Sequence, residues 1–70
     1  MKNYFLENTV TSETLETDSA HEAMTRFLKT QMPCELWSNG ELIAEKEWEE
    51  NPVTGELVLE SMIYEELQEA

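Results

Sequence analysis

Hydrophobic positions along this chain change their spacing from strand-like to helical and back again. Over residues 3–16, Tyr4, Leu6 and Val10 fall on one parity and Phe5 and Leu15 on the other, in a stretch rich in Thr and aromatics and free of Gly and Pro. The pattern predicts an extended strand, strongest over 3–10, with a polar Thr/Ser/Glu segment behind it. Next, Ala20, Ala23, Met24, Phe27, Leu28 and Met32 recur at i, i+3, i+4, i+7, i+8 and i+12. That is one stripe of an amphipathic helix over 19–32. Ser19 and Glu22 have the S-x-x-E form of a capping box, each side chain serving the other's backbone N–H, and Pro33 is the expected stop.

Beyond Pro33 the period returns to two, and two turns set the pairing. Asn39-Gly40 separates two strand-like runs, and a type I′ turn needs positive φ at both central residues. A two-residue loop there pairs Ser38 with Glu41, Trp37 with Leu42 and Leu36 with Ile43. The loop Pro52 to Gly55 places glycine last, where a left-handed conformation is expected, and pairs Asn51 with Glu56, Trp48 with Leu59 and Ala44 with Ile63. Side-chain alternation then collects Trp37, Leu42, Ala44, Trp48, Leu57, Leu59 and Ile63 on a core face, with Lys46 and Ser61 as its polar members. The other face collects Glu45, Glu47, Glu49 and Glu60, with Val58, Met62 and Tyr64. The last strand is expected to reach about Ile63 or Tyr64, followed by a short helical or frayed tail carrying Glu65, Glu66 and Glu69. The expectation is one small α+β domain over residues 1–70, β-α-β-β-β, with the amphipathic helix packed on a mainly antiparallel sheet. No internal repeat, linker or low-complexity tract is read from the sequence.

Charge changes this picture from a scaffold to a surface. The 70 residues carry 16 acidic and 4 basic side chains, a formal net charge of -12. Eleven of the acidic residues lie beyond Pro33, where Lys46 alone opposes them. Like charges facing across strands destabilise a pair, and Glu47 lies nearly opposite Glu60 in the deduced register. Alternate residues on a strand are roughly 7 Å apart, so Glu45, Glu47 and Glu49 repel one another as well. A surface selected only for solubility normally mixes signs.

Candidate chemistry is sparse. One His, one Cys and no Ser or Cys nucleophile with a placed base leave no catalytic constellation, and His21 reads as a solvated surface residue. Cys34 has no disulfide partner and reads as a small, half-buried hydrophobe rather than a reactive thiol. One Cys with one His makes no zinc site, and the Asp/Asn-rich spacing of a calcium loop is missing, so neither metal nor cofactor is expected. The free thiol suits a reducing cytoplasm. Neither a signal peptide nor a membrane span of ~20 apolar residues is evident. Trp37 and Trp48 are assigned to the core.

The expectation for function is therefore a non-enzymatic interaction protein. Its negative charge disfavours direct contact with nucleic acid or anionic membranes and favours a basic protein, such as a nucleic-acid-binding enzyme or complex. Glu45, Glu47, Glu49, Glu60, Tyr64, Glu65 and Glu66 are the candidate partner-binding residues. In size, charge and element order, over the whole chain, the type resembles small acidic phage or mobile-element proteins that inhibit host nucleic-acid enzymes, DNA mimics among them. No motif carries that resemblance, so no residue role is taken from it. The competing expectation is a small assembly module, such as a homodimer, whose acidic face is only solvation.

Overall fold

The computed structural model describes residues 3–65. Its elements are β1 (Tyr4–Asn8), β2 (Thr14–Thr17), α1 (Ala20–Lys29), β3 (Cys34–Ser38), β4 (Glu41–Glu50) and β5 (Leu57–Ile63). The strands form one five-stranded sheet in the order β2-β1-β3-β4-β5, antiparallel throughout. The helix packs against β1, β2 and β3. The α+β class is as expected; the element order is β-β-α-β-β-β, one strand more than the sequence pattern implied.

The extra strand arises because the stretch 3–16 folds back on itself. Its turn is built by Asn8, whose side-chain Oδ1 accepts from the N–H groups of Val10 and Thr11 at 2.9 and 3.0 Å. The backbone N–H of Asn8 donates to the carbonyl of Glu13 at 2.8 Å, and that of Ser12 to the carbonyl of Asn8 at 2.8 Å. The loop before β5 repeats this arrangement. Asn51 Oδ1 accepts from Val53 and Thr54, the N–H of Asn51 donates to Glu56, and the N–H of Gly55 donates back to Asn51. In both loops a threonine hydroxyl oxygen accepts from the closing glutamate, Thr11 from Glu13 and Thr54 from Glu56, at 3.3 Å. The fifth residue is left-handed in both, Ser12 at φ 66 and Gly55 at φ 75. The sequences are Asn8-Thr9-Val10-Thr11-Ser12-Glu13 and Asn51-Pro52-Val53-Thr54-Gly55-Glu56, so the chain does hold a short internal repeat, of one turn. Ser12 hid it, because a left-handed position is normally marked by glycine.

The helix begins as expected and ends early. Ser19 accepts from the N–H of Glu22 at 3.1 Å, but its own N–H is satisfied by Thr17 Oγ1 at 3.1 Å, so the reciprocal half of the box falls to Thr17. The helix ends at Lys29 rather than Met32: Thr30 is extended at ψ 116 and its hydroxyl donates to the carbonyl of Arg26 at 2.6 Å. Two of the last carbonyls, those of Leu28 and Thr30, accept from Lys46 Nζ at 3.2 and 2.8 Å.

The β4–β5 register is the expected one, from Ala44 with Ile63 through Trp48 with Leu59. The Asn39-Gly40 turn also has the expected geometry, with φ of 51 and 84. The β3–β4 register changes partway along. Trp37 pairs with Leu42, but Leu36 pairs with Ala44, so Ile43 is an extra residue in β4, a β-bulge. Two consecutive residues, Ile43 and Ala44, are both buried, with Leu6, Ala23, Phe27, Cys34 and Leu36, in the core between sheet and helix.

The bulge overturns part of the expected core. Because Trp37 and Leu42 lie on the far side of it from Ala44, they belong to the face opposite the helix. Trp48 does share the parity of buried Lys46, yet it is 51% exposed. A ten-residue helix spans about 15 Å and a ten-residue strand about 34 Å, so α1 leaves the outer half of the β4–β5 hairpin as an uncovered arm. Leu57 on that arm is exposed too; Ile63, beside buried Ala44, is exposed because α1 packs on β1, β2 and β3 and does not reach the edge strand.

Candidate partner-binding face

The face of the sheet away from the helix is assembled by register alone. Phe5, Trp37 and Leu42 are successive cross-strand partners, with Glu16 beside Phe5. The next row is Thr14, Glu7, Glu35, Glu45 and Met62. Glu47 pairs with Glu60, and Glu49 with Val58. Three of these pairs, Glu7 with Glu35, Glu35 with Glu45 and Glu47 with Glu60, set carboxylates directly against each other, an arrangement that costs stability in each case. No basic residue of β1 to β5 shares this face: Lys46, the only cation in those strands, points to the helix and is 4% exposed.

Of the candidate residues, Glu45, Glu47, Glu49 and Glu60 lie on this one face, Glu45 half-buried and the others exposed. Tyr64 joins them, 59% exposed. Its hydroxyl is held above its ordinary pKa by local desolvation and then by Glu45, through charge and a hydrogen bond, and by the charge of Glu47. The Tyr64 N–H donates to the carbonyl of Ile43 at 2.8 Å and the Glu65 N–H to the same oxygen at 3.2 Å, which ties the end of β5 to the bulge. Glu65 is exposed just beyond β5; Glu66 and the tail expected after it lie outside the described residues.

Glu7, Glu16, Glu35, Phe5, Trp37 and Leu42 were not expected on this face. Their omission has two causes: the bulge, which reverses the parity of β3 relative to the outer part of β4, and the fold-back at Asn8–Glu13, without which β1 and β2 had no pairing to count from. The run Leu42-Ile43-Ala44 carried the signal, since three consecutive apolar residues break the alternation of a strand with one open face. The corrected face is larger and more acidic, and it has a half-buried tryptophan and phenylalanine along one side.

The remaining chemistry-bearing groups serve the core. Cys34 is buried, and burial pushes its thiol above 9.0, against the opposing pull of the Lys46 charge. A cavity of about 120 Å³ beside it is bordered by Glu13 and Arg26. Lys46 sits 5.0 Å over the ring of Phe27, its own pKa lowered by desolvation. Among the described residues no group of three or more His, Cys, Asp or Glu side chains is arranged to hold a metal ion, and no helix is long and apolar enough to cross a membrane.

Comparisons with protein-family models, with curated proteins and with solved structures find no match to this chain. Fold and face together define it as a small α+β domain with one face of its sheet given over to carboxylates.

Proposed function

We propose that this chain is a non-enzymatic interaction protein that binds the basic surface of a nucleic-acid-handling protein and inhibits or regulates it, as a carboxylate-bearing mimic of a phosphate backbone. A phage or mobile-element setting and a cytoplasmic location belong to the same proposal. The observation that carries it is the set of three like-charge cross-strand pairs on a face to which β1 to β5 contribute no cation. Each pair weakens the fold, and a basic groove would relieve all of them at once by drawing the carboxylates into ion pairs. Phe5, Trp37 and Tyr64 add the aromatic anchors found at the centres of protein interfaces.

The test joins affinity capture from a bacterial lysate to a salt series on each captured protein. Binding is expected to weaken by at least ten-fold between low and high salt, as exposed charge pairs are screened. Changing Glu45, Glu47, Glu49 and Glu60 together to Gln is expected to raise fold stability and abolish capture. If the quadruple variant is more stable and still binds its partner with unchanged salt dependence, the proposal is wrong and the acidic face is only solvation.

A further inference from the structure

We propose that the outer edge of β5 is a strand-addition site for an extended segment of a partner protein in which basic and apolar side chains alternate. The site adjoins the open sheet face and shares Glu60 with it, so it rests in part on the reading above.

The edge is defined by the ladder. β5 ends the sheet order, and β4 is its one described neighbour. Antiparallel partners alternate between pairs that exchange both backbone bonds and pairs that exchange none. Donation from Tyr64 to Ile43 at one end and from Asn51 to Glu56 at the other assigns the inward bonds to the even-numbered residues. The N–H and C=O groups of Leu57, Leu59, Ser61 and Ile63 therefore point away from β4. A strand at an edge is normally blunted by charged side chains, Lys above all, by Pro or by a bulge. The sequence Leu57–Ile63 has one charge, Glu60, and no Lys or Pro, and its register with β4 is unbroken. The other edge, β2, is only four residues long and is packed by the helix.

The two faces of the arm specify the occupant. On the helix side, beyond the reach of α1, Trp48, Leu57 and Ile63 are 51%, 64% and 45% exposed. On the open side, Glu60 stands beside Glu47. An incoming strand bonded to Leu59 and Ser61 places every second side chain over the apolar surface; of those between, one lies beside Glu60 and its neighbours beside Val58 and Met62. Apolar residues suit the first set, and Lys or Arg the second, with the charged head toward Glu60 and Glu47 and the aliphatic stem along Val58 and Met62. A second copy of this chain fits less well. Antiparallel self-pairing about Glu60 sets that residue against itself, and pairing about Ser61 leaves the two Glu60 carboxylates one diagonal step apart, between molecules of net charge -12 each.

The probe is a synthetic peptide alternating valine and arginine, compared with a peptide of equal composition whose valines and arginines form two blocks. The alternating peptide is expected to bind at least ten-fold more tightly. It should slow amide exchange at Leu57, Leu59, Ser61 and Ile63 while changing Val58, Glu60 and Met62 much less. Ser61→Pro removes an outward N–H without touching the ladder to β4 and is expected to abolish binding, with circular dichroism reporting the fold. Glu60→Lys is the second variant; it should weaken the valine–arginine peptide and favour a valine–glutamate one. Equal affinity for the two arginine peptides, or binding unaffected by both variants, overturns the inference. So does a dimer in sedimentation that Ser61→Pro dissolves, since the edge would then belong to a second copy. If the peptide fails while the four-glutamine variant still loses its partner, only the edge inference falls.

Discussion

Lys46 Nζ lies 2.8 Å from the carbonyl oxygen of Thr30, the residue that caps α1. The same ammonium donates to Leu28 at 3.2 Å and rests 5.0 Å over the Phe27 ring. One side chain from β4 thus closes the C-terminal end of the helix, where partial negative charge gathers, and fills the border of a core too small to spare a contact. It also explains why the sole cation of β1 to β5 does nothing to relieve the carboxylates on the other face.

Lys46→Met keeps the aliphatic stem over Phe27 but leaves the Leu28 and Thr30 carbonyls without their donor. Charge-assisted hydrogen bonds of this kind are worth about 1.5–3 kcal/mol, and removal of the desolvated charge offsets part of that. A net loss of about 1–2 kcal/mol in urea unfolding at neutral pH is expected. A variant as stable as the parent would mean that the bonds only balance the cost of burying the ammonium.

Alkaline pH separates the two titrating groups that face each other across β3 and β4. The Cys34 thiol is held above 9.0 by burial, so the unfolded chain ionises first; its stabilising contribution is full below pH 9.0 and is lost as pH rises through the folded value. Lys46 is shifted below 10.5, so the folded chain releases its proton first and stability gains from it as pH climbs toward 10.5. Cys34→Ala should therefore close the gap to the parent, or overtake it, as pH is raised above 9.0. Unfolding free energies at pH 8 and at pH 10 check this, and an unchanged difference between the two proteins refutes it.

The twin loops make a prediction with opposite signs. Ser12 holds φ 66 where the sister loop has Gly55. A left-handed conformation costs a side-chain-bearing residue roughly 1–2 kcal/mol, partly offset by the entropy glycine loses on folding. Ser12→Gly should raise stability by about 0.5–1 kcal/mol. Thr9→Pro also copies the sister loop, which has Pro52, but the Thr9 N–H donates to the Pro33 carbonyl at 3.1 Å and its hydroxyl to the same oxygen at 3.2 Å. That substitution should destabilise by about 1–3 kcal/mol. Thermal unfolding of the two variants gives both signs in one comparison.

Much of the site was legible because two turns carry their own chemistry. Asn39-Gly40 and the Asn51–Glu56 loop place strand ends by local φ preferences and Asx hydrogen bonds, and from them the pairing of Glu47 with Glu60 follows by counting. The Asn8–Glu13 loop carries the same chemistry, but with serine in the left-handed position it passed for a continuous strand. Glu35 was missed for a different reason, since counting along β4 fails once a residue is skipped, and Glu7 because no local turn pairs β1 with β3.

The amphipathic stripe of α1, its Ser19 cap, the two downstream turns and the register of β4 with β5 were determined by residues within a few positions of one another, where turn geometry and periodicity act without reference to the rest of the chain. The tertiary structure alone decided that Ile43 and Ala44 both turn inward. Phe27, Leu36 and the helix bury two neighbours where alternation permits one, and the strand bulges to supply them. That single slip moved Trp37 and Leu42 out of the core and joined Glu7 and Glu35 to the carboxylates of β4. Helix placement and length decided the fate of Trp48: α1 packs on β1, β2 and β3 and rises less than half as far per residue as a strand, so a residue with core parity lies beyond the helix's cover.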